Sequence, residues 1–133
     1  MLIKINVELE FNEAWLESVV CSALEGGINY WINDGFNVLE NIIGSKTETT
    51  ESEYLVKRIA KGQSKLLIRD DCGAIKEGMI WELSKDTIIK GYERYIKWCT
   101  DYERSIFTYA GDIDAEEADI IVQLGLFNEV IFG

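Results

Sequence analysis

Residues 65–83 read KLLIRDDCGAIKEGMIWEL. Lys65 to Arg69 is a short run rich in large aliphatic residues. Asp70, Asp71, Cys72 and Gly73 are turn formers, and Ile75 to Leu83 returns as a second apolar stretch. Two extended runs around a polar, glycine-containing turn predict a β-hairpin, and with it an antiparallel sheet. The chain on either side of the hairpin changes to a helical period. Ser84 is placed to cap a helix, with Leu83 and Ile88 as a hydrophobic staple. Ile88, Ile89, Tyr92, Tyr95, Ile96 and Cys99 then form its inner face. Asp101 to Ala110 continues as helix or as an aromatic loop. Upstream, Thr50 with Glu53 fits a capping box, which predicts a helix from Glu51 to Lys61 that stops at Gly62.

Further out, Ile3, Ile5, Val7, Leu9 and Phe11 alternate with polar residues and predict a half-buried strand. Asn12 is a helix cap. Trp15, Leu16, Val19, Val20, Ala23, Leu24 and Gly27 follow at helical spacing, so a helix runs from Glu13 to near Trp31. Gly26-Gly27 lies inside it, and each Gly there costs about 0.5–1 kcal/mol relative to Ala. Close approach of another backbone or of a ligand would offset that; otherwise the helix breaks. Asp34-Gly35 marks a turn, Phe36 to Ile43 reads as a strand or irregular edge, and Gly44 to Glu51 as a loop. Asp114 and Glu117 fit a second capping box for a helix over Ala115 to Leu124 that ends at Gly125, and Phe127 to Phe132 reads as a last short strand. The elements add up to a single α+β domain over 1–133, an antiparallel sheet including the central hairpin with about four helices packed on it.

The 133-residue chain carries 24 Asp plus Glu against 13 Lys plus Arg and no His, for a net charge of -11. Without histidine, Ser-His-Asp and Cys-His relays and His-ligated metal sites are excluded. The acidity argues against direct nucleic-acid binding, which needs clustered cations. No secretory signal is read at the N-terminus, and no stretch has the roughly 18 apolar residues of a membrane helix. The three cysteines, Cys21, Cys72 and Cys99, form no CxxC pair. A disulfide framework is not expected, and a cytoplasmic home is.

Charge is unevenly placed. Val56 to Lys97 holds ten bases and six acids, a balance of +4, while the flanks hold three bases and 18 acids, a balance of -15. Arg58 and Arg69 are the sharpest anion-binding candidates, because a guanidinium matches phosphate bidentately. The bland alternative is a solvated face with local ion pairs. Glu25 to Trp31 is the most unusual string: Asn29 offers a donor and an acceptor, and Tyr30 and Trp31 offer stacking faces for a planar group. Its alternative is a helix C-terminus with its aromatics in the core. Asp70-Asp71 and Asp112-Asp114-Glu116 lack the spacing of a calcium loop and are better explained as turn and capping chemistry. No metal, cofactor or catalytic residue is implied.

Two strings, ALEGGINYW at Ala23–Trp31 and ADIIVQLGLFNEVIFG at Ala118–Gly133, resemble a widespread, uncharacterised family of small bacteriophage proteins. In that family a strand leads into a helix ending in an EGGxNYW-like segment. A central stretch is similar to KGQSKLLIRDDCG, and the chain closes on a pattern like ADxIxQxxLFxExxxG. At the variable position after LF this sequence has Asn128, where the resemblance leads one to expect Gly. The resemblance implies phage or prophage origin and action in the host cytoplasm, and it supplies no catalytic residue. Two functions are expected. One is a non-enzymatic counter-defence protein that sequesters a small anionic host signal such as a cyclic nucleotide, with Arg58 and Arg69 on phosphate, Tyr30 or Trp31 stacking, and Asn29 or Gln123 reading polar edges. The other is an acidic inhibitor that binds a host defence or nucleic-acid-processing protein as a nucleic-acid mimic. The four Trp and five Phe further predict apolar surface buried in a homo-oligomer.

Overall fold

The structure, a computed structural model, describes residues 12–39, 42–43, 46–47, 52–101 and 113–133. The expected N-terminal strand, the Thr50–Glu53 capping box and most of the 101–110 segment lie outside these residues. The fold is a single α+β domain. The helices are α1 (Glu13–Ser22), α2 (Asn29–Ile32), α3 (Ser52–Ala60), α4 (Lys85–Asp101) and α5 (Ala115–Phe127), with a π-helical turn (Ala23–Gly27) between α1 and α2. The strands are β1 (Phe36–Val38), β2 (Ile42–Ile43), β3 (Lys46–Thr47), β4 (Leu66–Asp70) and β5 (Ile80–Leu83). The central sheet has the order β1-β4-β5, all antiparallel, and β2 pairs with β3.

β4 alternates: Leu66, Ile68 and Asp70 are buried, Leu67 and Arg69 half-buried. That alternation turns one sheet face to the core, where β5 meets α4 and α5. Three expected caps form. Asn12 Oδ1 accepts from the Trp15 N–H at 2.7 Å, Ser84 Oγ from Thr87 at 3.3 Å, and Asp114 Oδ1 from Glu117 at 2.9 Å. On α4, Ile88, Tyr92, Tyr95 and Cys99 are buried and Ile89 and Ile96 half-buried, as the spacing predicts.

Four expectations are corrected. The second hairpin strand begins at Ile80, not Ile75, with Arg69 opposite Ile80. The backbone N–H groups of residues 72–76 go instead to the Asp70 carboxylate, so they cannot join a ladder. The polar segment after Gly44 is not all loop, because Lys46–Thr47 pairs with Ile42–Ile43. Helix α5 does not end at Gly125. It runs on to Phe127, and Gly125 serves the crossing of α4 and α5: a Cβ there would strike the Thr87 carbonyl oxygen, and one at Gly91 that of Ile121. The last residues form no strand, since the Ile131 and Phe132 N–H groups bond to a side chain, Gln123.

Candidate functional site

The segments Ala23–Trp31 and Ala118–Gly133 meet in space, and Asp119 joins them. The residue is buried, 7% exposed. Tyr30 Oη donates to Asp119 Oδ2 at 2.7 Å; Trp31 Nε1 and Gln123 Nε2 donate to Oδ1 at 2.8 and 2.9 Å. A carboxylate is an acceptor-only group, which suits three donors converging on two oxygens. Gln123 lies one helical turn beyond Asp119, on the same face of α5. Its Nε2 also donates to the Phe132 carbonyl at 3.1 Å, and its Oε1 accepts from the Ile131 and Phe132 N–H groups, each at 2.8 Å. The tail after α5 is thereby folded back over the helix. Phe132 stacks on Trp31, with ring centroids 5.2 Å apart and planes 9° from parallel.

Beside this network lies a cleft of about 430 Å³. Gly26, Gly27 and Tyr30 form one wall; Ala115, Glu116, Asp119 and Ile120 of α5 form another; Val130, Phe132 and Gly133 come from the tail and Trp98 from α4. The phenol of Tyr30 is held well above its usual range. Burial is the largest cause, then its hydrogen bond to Asp119 and the charge there, against a smaller opposing effect of Gln123. The phenol therefore keeps its proton, donates it to Asp119, and leaves its oxygen lone pairs as acceptors.

The helix does not break at the glycine pair; it widens into a π turn, a feature frequent at functional sites. The two glycines have different reasons to be there. A Cβ on Gly27 would sit 2.6 Å from the Ala115 carbonyl oxygen and 3.1 Å from that of Ser22, so α5 approaches too closely for any side chain. A Cβ on Gly26 would meet nothing within 4 Å. Its φ is not positive, so the backbone does not require glycine either, and it lines the cleft.

The other expected site residues disperse. Asn29 is exposed at the start of α2, outside the cleft lining. The polar atoms of Trp31 and Gln123 are committed to Asp119 and the tail, so they hold the network together, and neither residue lines the cleft. Arg58 is half-buried in the last turn of α3. Arg69 lies on β4 and forks onto Asp71, through Nε to Oδ1 and through Nη2 to Oδ2 at 3.2 Å; that hydrogen bond and charge raise its pKa further. Neither arginine lines the cleft. Part of the basic middle does gather elsewhere: Lys61, Lys65 and Lys85 line a second cleft of about 500 Å³ with Ser64 and Ser84. Lys65 pairs there with Glu82 at 2.8 Å.

Sequence reasoning did not single out Asp119 and missed its role, along with that of Gly26 as distinct from Gly27. The available signal was Asp119 and Gln123 at i, i+4 in the otherwise apolar run ADIIVQL, two polar residues on one buried helix face. The Asp70-Asp71 turn is loop chemistry as expected. Among the described residues no group of three or more His, Cys, Asp or Glu side chains is arranged to hold a metal, and no helix is long and apolar enough to cross a membrane. Comparison with protein-family models, with curated proteins and with solved structures gives no match.

Proposed function

We propose that this chain is a non-enzymatic binding protein that captures a small molecule of its host cell in the cleft between the π turn, α5 and the tail. The observation that supports this most is Gly26. A glycine in a helical segment destabilises it by about 0.5–1 kcal/mol, yet neither φ nor packing calls for one at this position. What remains is access to the cleft it lines. The setting, a phage-type accessory protein that withdraws a host signal, comes from the resemblance of the two strings forming the cleft walls. Native mass spectrometry of the full chain after incubation with a host small-molecule fraction tests the reading. A discrete adduct on the native chain, absent from Gly26→Leu, is the expected result; no adduct, or an equal adduct on the variant, defeats it.

A second reading keeps the phosphate-bearing ligand and moves it to the cleft where Lys61, Lys65 and Lys85 outnumber the one lining carboxylate, Asp86, and ammonium groups suit an anion. Calorimetry with cyclic nucleotides would then give heat that Lys61→Gln with Lys85→Gln removes and Gly26→Leu does not.

A further inference from the structure

We infer that the cleft at Gly26 selects a small organic cation, a protonated amine or quaternary ammonium carried on a planar or apolar body. The inference rests on the binding-protein reading above and adds the chemical class of the ligand.

Four observations carry it. The lining holds two carboxylates, Glu116 and Asp119, and no lysine or arginine among the described residues. An anion placed there would face like charge without a counter-charge, within a chain of net charge -11. Three aromatic residues, Tyr30, Trp98 and Phe132, line the same space, and aromatic faces attract cations through their quadrupole. Tyr30 has its proton directed at Asp119, so the phenol presents an acceptor to an N–H donor. At Gly26 no Cβ stands between the main chain and a flat ligand. The anion-selective chemistry expected from the sequence thus has its cations elsewhere, and the aromatic string supplies the opposite selectivity.

Benzylamine, benzyl alcohol and benzoate have nearly the same shape and carry charges of about +1, 0 and -1 at neutral pH. Each is titrated into the full-length, ¹⁵N-labelled protein while the amides of Gly26, Gly27 and Gly133 are followed. Benzylamine is expected to perturb these amides with a dissociation constant about tenfold lower than benzyl alcohol, with benzoate weakest. Added salt should narrow the gap. Gly26→Leu should abolish the response without lowering Tm, because its side chain enters open space, and Gly26→Ala gives the graded control. Benzyl alcohol or benzoate binding as well as benzylamine overturns the cation class and leaves the cleft reading standing. No perturbation by any of the three also overturns the class, and the mass-adduct experiment then judges the cleft reading separately.

Discussion

Asp70 and Asp119 are both buried carboxylates, satisfied in opposite ways. Asp70 is 0% exposed and accepts five backbone N–H groups, from Cys72, Gly73, Ala74, Ile75 and Lys76. All come from within six residues of it, so it shapes one loop. Asp119 accepts three side-chain donors, two of them 88 and 89 residues away, so it ties the π-turn segment, α5 and the tail into one site. A carboxylate with local partners makes a turn. One with remote partners makes an architecture, and here the cleft lies beside the remote one.

The comparison breaks first at Asp119. Asp119→Ala leaves the Trp31 indole N–H and one Gln123 amide proton buried without an acceptor and takes the partner from the half-exposed Tyr30 hydroxyl. Buried orphaned donors cost about 1–3 kcal/mol each. The variant should lose roughly 3 kcal/mol of stability, read as a lower urea midpoint, and the Ile131 and Phe132 amides should lose hydrogen-exchange protection as the tail loosens. A loss no larger than that of Asp70→Ala would mean the remote carboxylate does not organise the site.

Asp70 yields a pH signature. Burial pushes its carboxyl up, but the N–H groups of Ile75, Cys72, Lys76 and Gly73 more than reverse this and hold it at about 2, against 3.8 for the free group. The folded state therefore binds this proton less tightly than the unfolded chain does. The stability Asp70 contributes is fully present above pH 4 or so and is lost as pH falls from there towards about 2. Urea unfolding of the native chain and of Asp70→Asn should show a stability difference that is constant at neutral pH and shrinks across that window. Asp71 feels the Asp70 charge, which raises its carboxyl slightly against the lowering by Arg69, so its titration shifts further down in Asp70→Asn; the Asp70 effect is the larger part of the difference. A difference independent of pH would show that the loop does not depend on the ionised carboxylate.

The same contrast explains what was legible in the sequence. Asn12, Ser84 and Asp114 act on residues three positions away, so their caps could be read directly, as could the core face of α4 and the antiparallel sheet. The nest around Asp70 is also local, but a turn pattern fixes only where the chain reverses, not how many N–H groups a carboxylate draws from the returning strand; hence the late start of β5. Nothing local announces that Tyr30 and Trp31 meet Asp119, or that Gly125 faces Thr87 while Gly26 faces open space. Identical glycines in the sequence become a packing requirement and a cleft wall only when distant backbone arrives at one and not the other. The candidate arginines failed to converge on the aromatic cleft for the same reason: periodicity places them on elements, and only the tertiary fold places elements beside each other.

The smallest expected effect lies at Asn128, where the tail leaves α5. Asn128 has φ 61° and ψ 14°, the left-handed region, and its N–H bonds to the Leu124 carbonyl at 3.0 Å as the helix closes. Asn enters this region more readily than other non-glycine residues, and Gly enters it without steric cost. Against the relief stands the greater freedom Gly gives the unfolded chain, so Asn128→Gly should gain only about 0.5 kcal/mol, or about 2 °C in Tm, whereas Asn128→Ala should lose about 1 kcal/mol. Because Gln123 and Asp119 hold the tail through bonds that do not involve this residue, the benzylamine response at Gly26 and Gly133 should be unchanged in Asn128→Gly. A higher Tm with a weakened response would place this turn in the cleft's energetics, and the remote carboxylate would then share control of the tail with a local backbone conformation.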